Sequence, residues 1–150
     1  MEIIAFLEKA MAVEDLFSKC YEALASLSEP NFVPDLKRLS NEEINHRNSL
    51  NMQKTFAANA PDLFGATRIS EAELDFGLDA IRSLLESVRS KKIGTRDAFE
   101  KLKELESRFE RVHSRISVEI KDPSLQNLFK GLSAGDKNHI EVLEGILIKT

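Results

Sequence analysis

The chain has 150 residues, of which 42% are apolar and 31% are charged, and its formal net charge is −4. This length makes one domain, residues 1–150, the default and allows a sizeable buried core. The single cysteine excludes an internal disulfide framework and a multi-cysteine zinc or iron–sulfur site. The acidic balance argues against nucleic acid as a partner, and no apolar run reaches the roughly 18 residues of a membrane span. Because Glu2 stands where a signal peptide carries a basic residue, we expect a cytoplasmic protein.

The first part of the chain predicts two long helices. Apolar residues recur at steps of three and four, which is the helical period, and the first helix covers residues 2–27. Pro30 and Pro34 break it, and Pro34 suits the first turn of a second helix that runs to residue 59. Pro61 and Gly65 end this second helix. Residues 1–60 are therefore expected to form a helix hairpin.

The second part predicts a connector, residues 61–94, and another hairpin, residues 95–150. The connector contains an amphipathic helix that begins with a capping-box pattern, Ser70 and Glu73, and runs to residue 90. A third long helix follows over residues 96–120, and Asp122 and Pro123 supply the cap and first turn of a fourth, which reaches residue 148. The prediction is an all-α, ferritin-like four-helix bundle with a long helical connection between helices 2 and 3. That connector either runs along the bundle or packs across one end.

The four long helices carry apolar stripes that should face a common core. Each stripe follows alternating steps of three and four residues. The stripes are Ile3, Leu7, Ala10, Glu14, Phe17, Tyr21 and Leu24; Leu36, Leu39, Glu43, His46 and Leu50; Phe99, Leu102, Glu106, Phe109, His113, Ile116 and Ile120; and Leu125, Phe129, Leu132, Asp136, His139, Leu143 and Ile146.

An acidic residue interrupts each stripe near its middle, and in the second and fourth helices a histidine follows three residues later. In antiparallel hairpins these residues fall at one level, about 20–25 Å from the turns near residues 30 and 122. The i, i+3 spacing places each histidine on the same face as its acid. One such interruption is usually a solvated or satisfied polar residue, but four at one level indicate a site. Its residues are Glu14, Glu43, His46, Glu106, Asp136 and His139.

Four carboxylates at one level of a dry core cannot all stay charged without compensation, because burial and mutual repulsion raise their pKa values. Two divalent cations would cancel the four negative charges, and two neutral imidazoles add none. Mixed carboxylate and imidazole ligation suits iron or manganese and tolerates zinc. The pattern therefore predicts a site for two metal ions.

The same residues resemble the di-iron motif of the ferritin-like superfamily, and the segments 36–46 and 129–139 are similar to the rubrerythrin group. The resemblance covers nearly the whole chain. It implies two iron ions, with manganese or zinc as alternatives, that react with peroxide or dioxygen in a homodimer or larger homo-oligomer. By family roles Glu43 and Glu106 would bridge the ions, Glu14 and Asp136 would be terminal ligands, and each ion would have one histidine, His46 or His139.

The sequence departs from that family pattern at three points. Asp136 stands where the family has the longer Glu, and Phe109 stands where rubrerythrins carry a second glutamate of the third long helix. A paired-cysteine electron-transfer segment is absent, so a separate electron donor protein, or the iron being oxidised, would supply electrons. Whether the chain is an enzyme, of peroxidase or ferroxidase type, stays open on these departures.

Two further stripe residues lie close to the expected ligands. Tyr21 follows Glu14 by seven residues and, by the resemblance, would bond a ligand carboxylate; otherwise it is a core aromatic residue. His113 holds the equivalent place after Glu106. Three roles are open for His113: a hydrogen bond to a metal ligand, direct ligation as an additional ligand, or a core histidine whose ring nitrogens are hydrogen-bonded.

Three functions remain on the sequence alone. The leading one is a rubrerythrin-like redox protein that reduces peroxide or oxidises ferrous iron. The second is a non-catalytic metal-binding, iron-handling or sensor protein of the same fold, and the third is a helical interaction module without metal. Glu42 lies on a neighbouring helix face, and we expect metal binding not to need it.

Overall fold

A computed structural model describes residues 1–60 and 67–150, and these contain five α-helices and no β-strand. The all-α prediction is thus confirmed for these residues, and the predicted helix ends agree to about one residue. The predicted stop at residues 61–65 lies outside the described residues. No helix within the described ranges has both the length and the apolarity that a bilayer span requires. The helices are α1 Ile3–Leu27, α2 Val33–Asn59, α3 Glu71–Arg89, α4 Thr95–Glu119 and α5 Pro123–Lys149.

Two of the predicted helix caps are present. The Ser70 hydroxyl accepts a hydrogen bond from the Glu73 amide at 3.1 Å, which starts α3. The Asp122 carboxylate accepts one from the Leu125 amide at 3.0 Å, and Pro123 occupies the first turn of α5. Each cap satisfies one of the amide groups that a helix start leaves unpaired. The ends of α3 and α5 are therefore fixed by local sequence.

The long helices form two antiparallel hairpins, α1–α2 and α4–α5, that face each other. The Phe17 and Phe109 rings meet edge to face at 5.8 Å, and the Tyr21 hydroxyl reaches Glu106 at 2.7 Å, so α1 and α4 are also antiparallel. Every stripe residue is buried except His46, which is partly exposed. The periodicity of the sequence thus identifies the core-facing side of all four helices.

Helix α3 runs lengthwise beside α1 and α4. Glu73 near its start pairs with Arg115 at 2.7 Å, and Arg108 lies 4.5 Å above the ring of Phe76. Lys9 of α1 forms ion pairs with Glu71 and Asp75 in the first turns of α3. Residue numbers rise along α3, from Glu73 to Phe76, as they fall along α4, from Arg115 to Arg108, so the two helices are antiparallel. The described helix of the connector, α3, therefore follows the bundle axis rather than crossing one end.

Gly77 allows α3 to approach α4 closely. A Cβ atom at this position would lie 2.5 Å from Cζ of Phe109, whose ring is buried beneath α3. The glycine thus makes room for an aromatic ring at the position where the family resemblance would place a glutamate. This side of the core is apolar and covered.

Candidate metal centre

The interrupting acids and histidines converge in the core between the two hairpins. Among the described residues three groups of three side chains each bring one ligand atom apiece to within 4.8 Å of the others. All six predicted ligands belong to at least one group, and Glu14 and Glu43 each belong to two. The groups are Glu14, Glu43 and His46; Glu43, Glu106 and His139; and Glu14, His113 and Asp136.

The first group joins α1 to α2. His46 Nδ1 lies 3.6 Å from Glu43 Oε2 and 3.8 Å from Glu14 Oε2. These distances are too long for hydrogen bonds. His46 Nδ1 and Glu43 Oε2 are both buried, and neither has a hydrogen-bond partner among residues 1–60 and 67–150. An imidazole nitrogen and two carboxylate oxygens thus face one another across a gap that suits a cation.

The second group joins α2, α4 and α5. His139 Nδ1 hydrogen-bonds Glu106 Oε1 at 3.3 Å. The same nitrogen lies 2.7 Å from Glu43 Oε1, an ion-pair distance, but this oxygen has no hydrogen-bond partner within the described residues. The Tyr21 hydroxyl donates a hydrogen bond to Glu106 Oε1 at 2.7 Å. The Tyr21 hydroxyl is therefore placed against an expected ligand carboxylate.

Glu42 reaches this group from outside, although its sequence position suggested a separate face. Its Oε2 lies 3.0 Å from His139 Nε2, and Arg38 pairs with its other oxygen at 3.1 Å. A metal-bound histidine usually donates its second N–H to a carboxylate, which fixes the ring orientation. Glu42 is therefore placed to orient the His139 ring, a contact that its helix face alone does not indicate.

The third group differs from the expected arrangement. Asp136 was expected to be a terminal metal ligand on the same helix face as His139, and in the structure its Oδ2 hydrogen-bonds His113 Nδ1 at 2.6 Å. His113 Nε2 in turn lies 3.7 Å from Glu14 Oε1. The two carboxylates shared between groups are therefore Glu14 and Glu43, whereas Glu106 belongs to one group. The aspartate side chain is one methylene shorter than glutamate, and its hydrogen bond to α4 holds it beside His113.

Burial and mutual charge perturb the carboxyl groups. Burial raises the pKa of Glu43 well above its usual range, and the charges of Glu14 and Glu106 raise it further. Burial also raises the pKa of Glu14, but interaction with the protonated Glu43 carboxyl group and with His46 outweighs this and lowers it to about 2. Burial raises the pKa of Asp136 to about 7 despite the opposing effect of His113. Without metal, burial and the neighbouring negative charges therefore favour the protonated form of Glu43.

Two histidines also hold protons. Burial lowers the pKa of His139, but the hydrogen bond and charge of Glu106 outweigh it and raise the value to about 9. Burial likewise opposes protonation of His113, yet Asp136 raises its pKa to about 9. The positive charges of the two protonated rings partly neutralise the buried carboxylates. A metal ion must displace them, so metal binding will strengthen as pH rises.

The centre meets solvent on one side, the α2–α5 seam formed by Glu42, His46, Gly135 and His139. The His46 side chain is 21% exposed, whereas those of the other two histidines are 2% exposed or less. A Cβ atom at Gly135 would lie 2.8 Å from His46 Cε1, so the glycine lets this ring pack against α5. His46 is therefore the most exposed of the six predicted ligands.

No protein-family model, curated protein or solved structure matches this chain.

Proposed function

We propose that this chain is a ferritin-like, rubrerythrin-like protein that binds two iron ions and uses them in a redox reaction with peroxide or dioxygen. The observation that carries this proposal is a set of buried ligand atoms without hydrogen bonds in the described part of the chain. They are both oxygens of Glu43, one oxygen each of Glu14 and Glu106, and Nδ1 of His46. An unsatisfied buried polar atom costs about 1–3 kcal/mol, and more when charged, so a core with several is built to be completed by a cation.

The chain path supports the ferritin-like part of the proposal. Helices α1 and α2 are antiparallel, α3 returns the chain along the bundle, and α4 is antiparallel to both α1 and α5. Helices α2 and α4 therefore point the same way. Four-helix bundles with one long crossover have this topology, and their metal ligands project inward from facing helices.

The charges support two ions. Glu14, Glu43, Glu106 and Asp136 carry up to four negative charges, and two divalent ions carry four positive charges, which leaves no net charge in the buried centre. Carboxylate oxygen and imidazole nitrogen together suit iron, manganese and zinc, and a redox role favours iron or manganese.

The protein residues hold and shield the centre. When bound, the iron pair would supply the redox chemistry. Tyr21 donates a hydrogen bond to Glu106, and burial raises the Tyr21 pKa well above its usual range, so its hydroxyl keeps its proton. Phe109 and Phe129 pack against His113 and exclude water from that side. The partly exposed His46 leaves room for a molecule as small as peroxide to approach. A separate donor protein, or ferrous iron itself, would supply the electrons.

Metal analysis tests this proposal directly. Untagged protein loaded with ferrous iron should contain about two iron ions per chain and absorb in the near ultraviolet when oxidised. Glu43→Gln removes the carboxylate shared by two groups and should lose most of the metal. Glu144→Gln, at an exposed position of α5, should keep it. Fewer than one iron ion per chain in the wild type would contradict the proposal.

The second candidate is a protein of the same fold that stores or senses metal without turnover. It is favoured by Phe109, which fills a position where a further carboxylate would assist redox cycling, and by the engagement of Asp136 with His113. Repeated consumption of peroxide, or oxidation of many ferrous ions per centre, separates the first candidate from the second. A single round of oxidation followed by retention of the metal would support the second.

A further inference from the structure

We propose that the centre contains a third cation position, between Glu14, His113 and Asp136, that accepts a divalent transition-metal ion. It adjoins the two expected positions and shares Glu14 with one of them. This position depends on the proposed two-ion centre, which it extends by one site. His113 would then bind metal directly, and the centre would have three histidine ligands rather than two.

The orientation of His113 supports this assignment. Asp136 Oδ2 holds Nδ1 of the ring at 2.6 Å, which directs Nε2 towards Glu14 Oε1 at 3.7 Å. The same arrangement, a carboxylate on one ring nitrogen and the other nitrogen free to bind, is typical of metal-ligating histidines. Two ligand atoms bound to one ion at about 2.0–2.2 Å each lie about 3–4 Å apart, and the Nε2–Oε1 distance falls in this range.

Glu14 supplies the second, independent observation. Its side chain is 2% exposed, and Oε1 has no hydrogen-bond partner within residues 1–60 and 67–150. Its other oxygen, Oε2, faces His46 at 3.8 Å. The two oxygens of one carboxylate are therefore directed at two different groups, as in a bridging ligand. Without a cation beside His113, Oε1 would stay buried without a hydrogen bond, with only the longer ion pair to the ring.

The surroundings determine how strongly such an ion binds. The Phe129 and Phe109 rings lie 5.8 and 6.4 Å from the His113 ring, so the position is dry on that side. Three divalent ions bring six positive charges against four carboxylates, which leaves an excess of two. The third ion should therefore bind last, with a dissociation constant about tenfold or more above that of the second.

Manganese titration of the metal-free full chain tests the position. Native mass spectrometry and calorimetry should show two tighter Mn²⁺ ions and a third weaker one. Anomalous diffraction at the manganese edge should place a peak between His113 Nε2 and Glu14 Oε1. His113→Phe keeps an aromatic ring in the core but removes both nitrogens, and should bind two ions with the tighter steps retained.

The outcomes separate this inference from the proposed function. A wild type that binds two ions at saturating Mn²⁺, with no peak beside His113 Nε2, overturns the third position and leaves the two-ion centre standing. In that case His113 is a protonated counter-charge for Asp136 and Glu14. Retention of the third ion by His113→Phe also overturns it. A wild type that binds no metal overturns both. If His113→Phe fails to fold, the anomalous map of the wild type decides alone.

Discussion

The two sides of the core between the hairpins are built differently. On the α1–α4 side, Phe17 and Phe109 pack edge to face, and α3 covers them through the close approach at Gly77. On the α2–α5 side, the rings of His46 and His139 stack at 5.9 Å, and no further helix of the described ranges covers them. Each side uses one glycine to seat an aromatic ring. The Phe109 ring is buried beneath α3, whereas the His46 ring is partly exposed.

This difference separates stability from access. The covered α1–α4 side contributes apolar packing, which raises the free energy of unfolding. The α2–α5 seam contributes the exposed edge of the centre, where ions and small molecules meet the ligands. Substitutions at the two sides should therefore change different measurements.

Glu43→Leu should have the largest effect on metal binding, because the Glu43 carboxylate belongs to two of the three ligand groups. Metal binding should be abolished. The metal-free variant should be more stable than metal-free wild type, by about 1–3 kcal/mol, because a buried polar group without hydrogen bonds is replaced by an apolar one. Urea unfolding with and without Mn²⁺ measures both effects. A metal-free variant less stable than the wild type would show that Glu43 is already satisfied without metal.

Glu42→Gln should weaken metal binding about 10- to 100-fold without abolishing it, because His139 loses the charged partner that holds its ring. Calorimetry with Mn²⁺ measures the change. Glu22→Gln, at an exposed position of α1, is the matched control and should have no effect. Equal affinities in Glu42→Gln and the wild type would show that the contact with His139 does not position the ligand.

Gly135→Ala should impair the α2–α5 seam, because the added methyl group would meet the His46 ring at 2.8 Å. The displaced ring should lower the affinity for the ion bound by Glu14, Glu43 and His46 by about tenfold. Gly131→Ala on the same helix is the control, since its Cβ would have no described atom within 4 Å. That control should bind metal normally and gain up to about 1 kcal/mol of stability from helix propensity.

Gly77→Ala should give the smallest effect on metal and a measurable one on folding. The methyl group would press on the buried Phe109 ring, and overpacking costs about 1–3 kcal/mol, of which helix propensity returns up to about 1 kcal/mol. Urea unfolding measures the loss. The double variant Gly77→Ala with Phe109→Leu should recover part of it. A metal affinity that falls together with stability would show that the two sides are not separable.

The sequence predicts those features that depend on period and spacing. The stripes place Glu14, Glu43, Glu106 and Asp136 in one core because a helix repeats every 3.6 residues, whatever its neighbours. The caps at Ser70 and Asp122 are local for the same reason.

The features that the sequence does not predict depend on distances between helices. Glu42 reaches His139 only because Gly135 allows α2 and α5 to lie close at His46. The pairing of Asp136 with His113 likewise depends on how α4 faces α5. Neither distance is encoded in the period of one helix, so the convergence of these side chains in the core was predictable, whereas the way they pair was not.

The partial exposure of His46 has a kinetic consequence. Because the other candidate ligands are almost fully buried, a bound ion would leave most easily by local opening of α2 around His46, which costs less than unfolding the whole chain. Extraction of metal by a chelator should then keep pace with hydrogen exchange of the α2 amides rather than with global unfolding. One imidazole edge at the surface would set the lifetime of the bound metal.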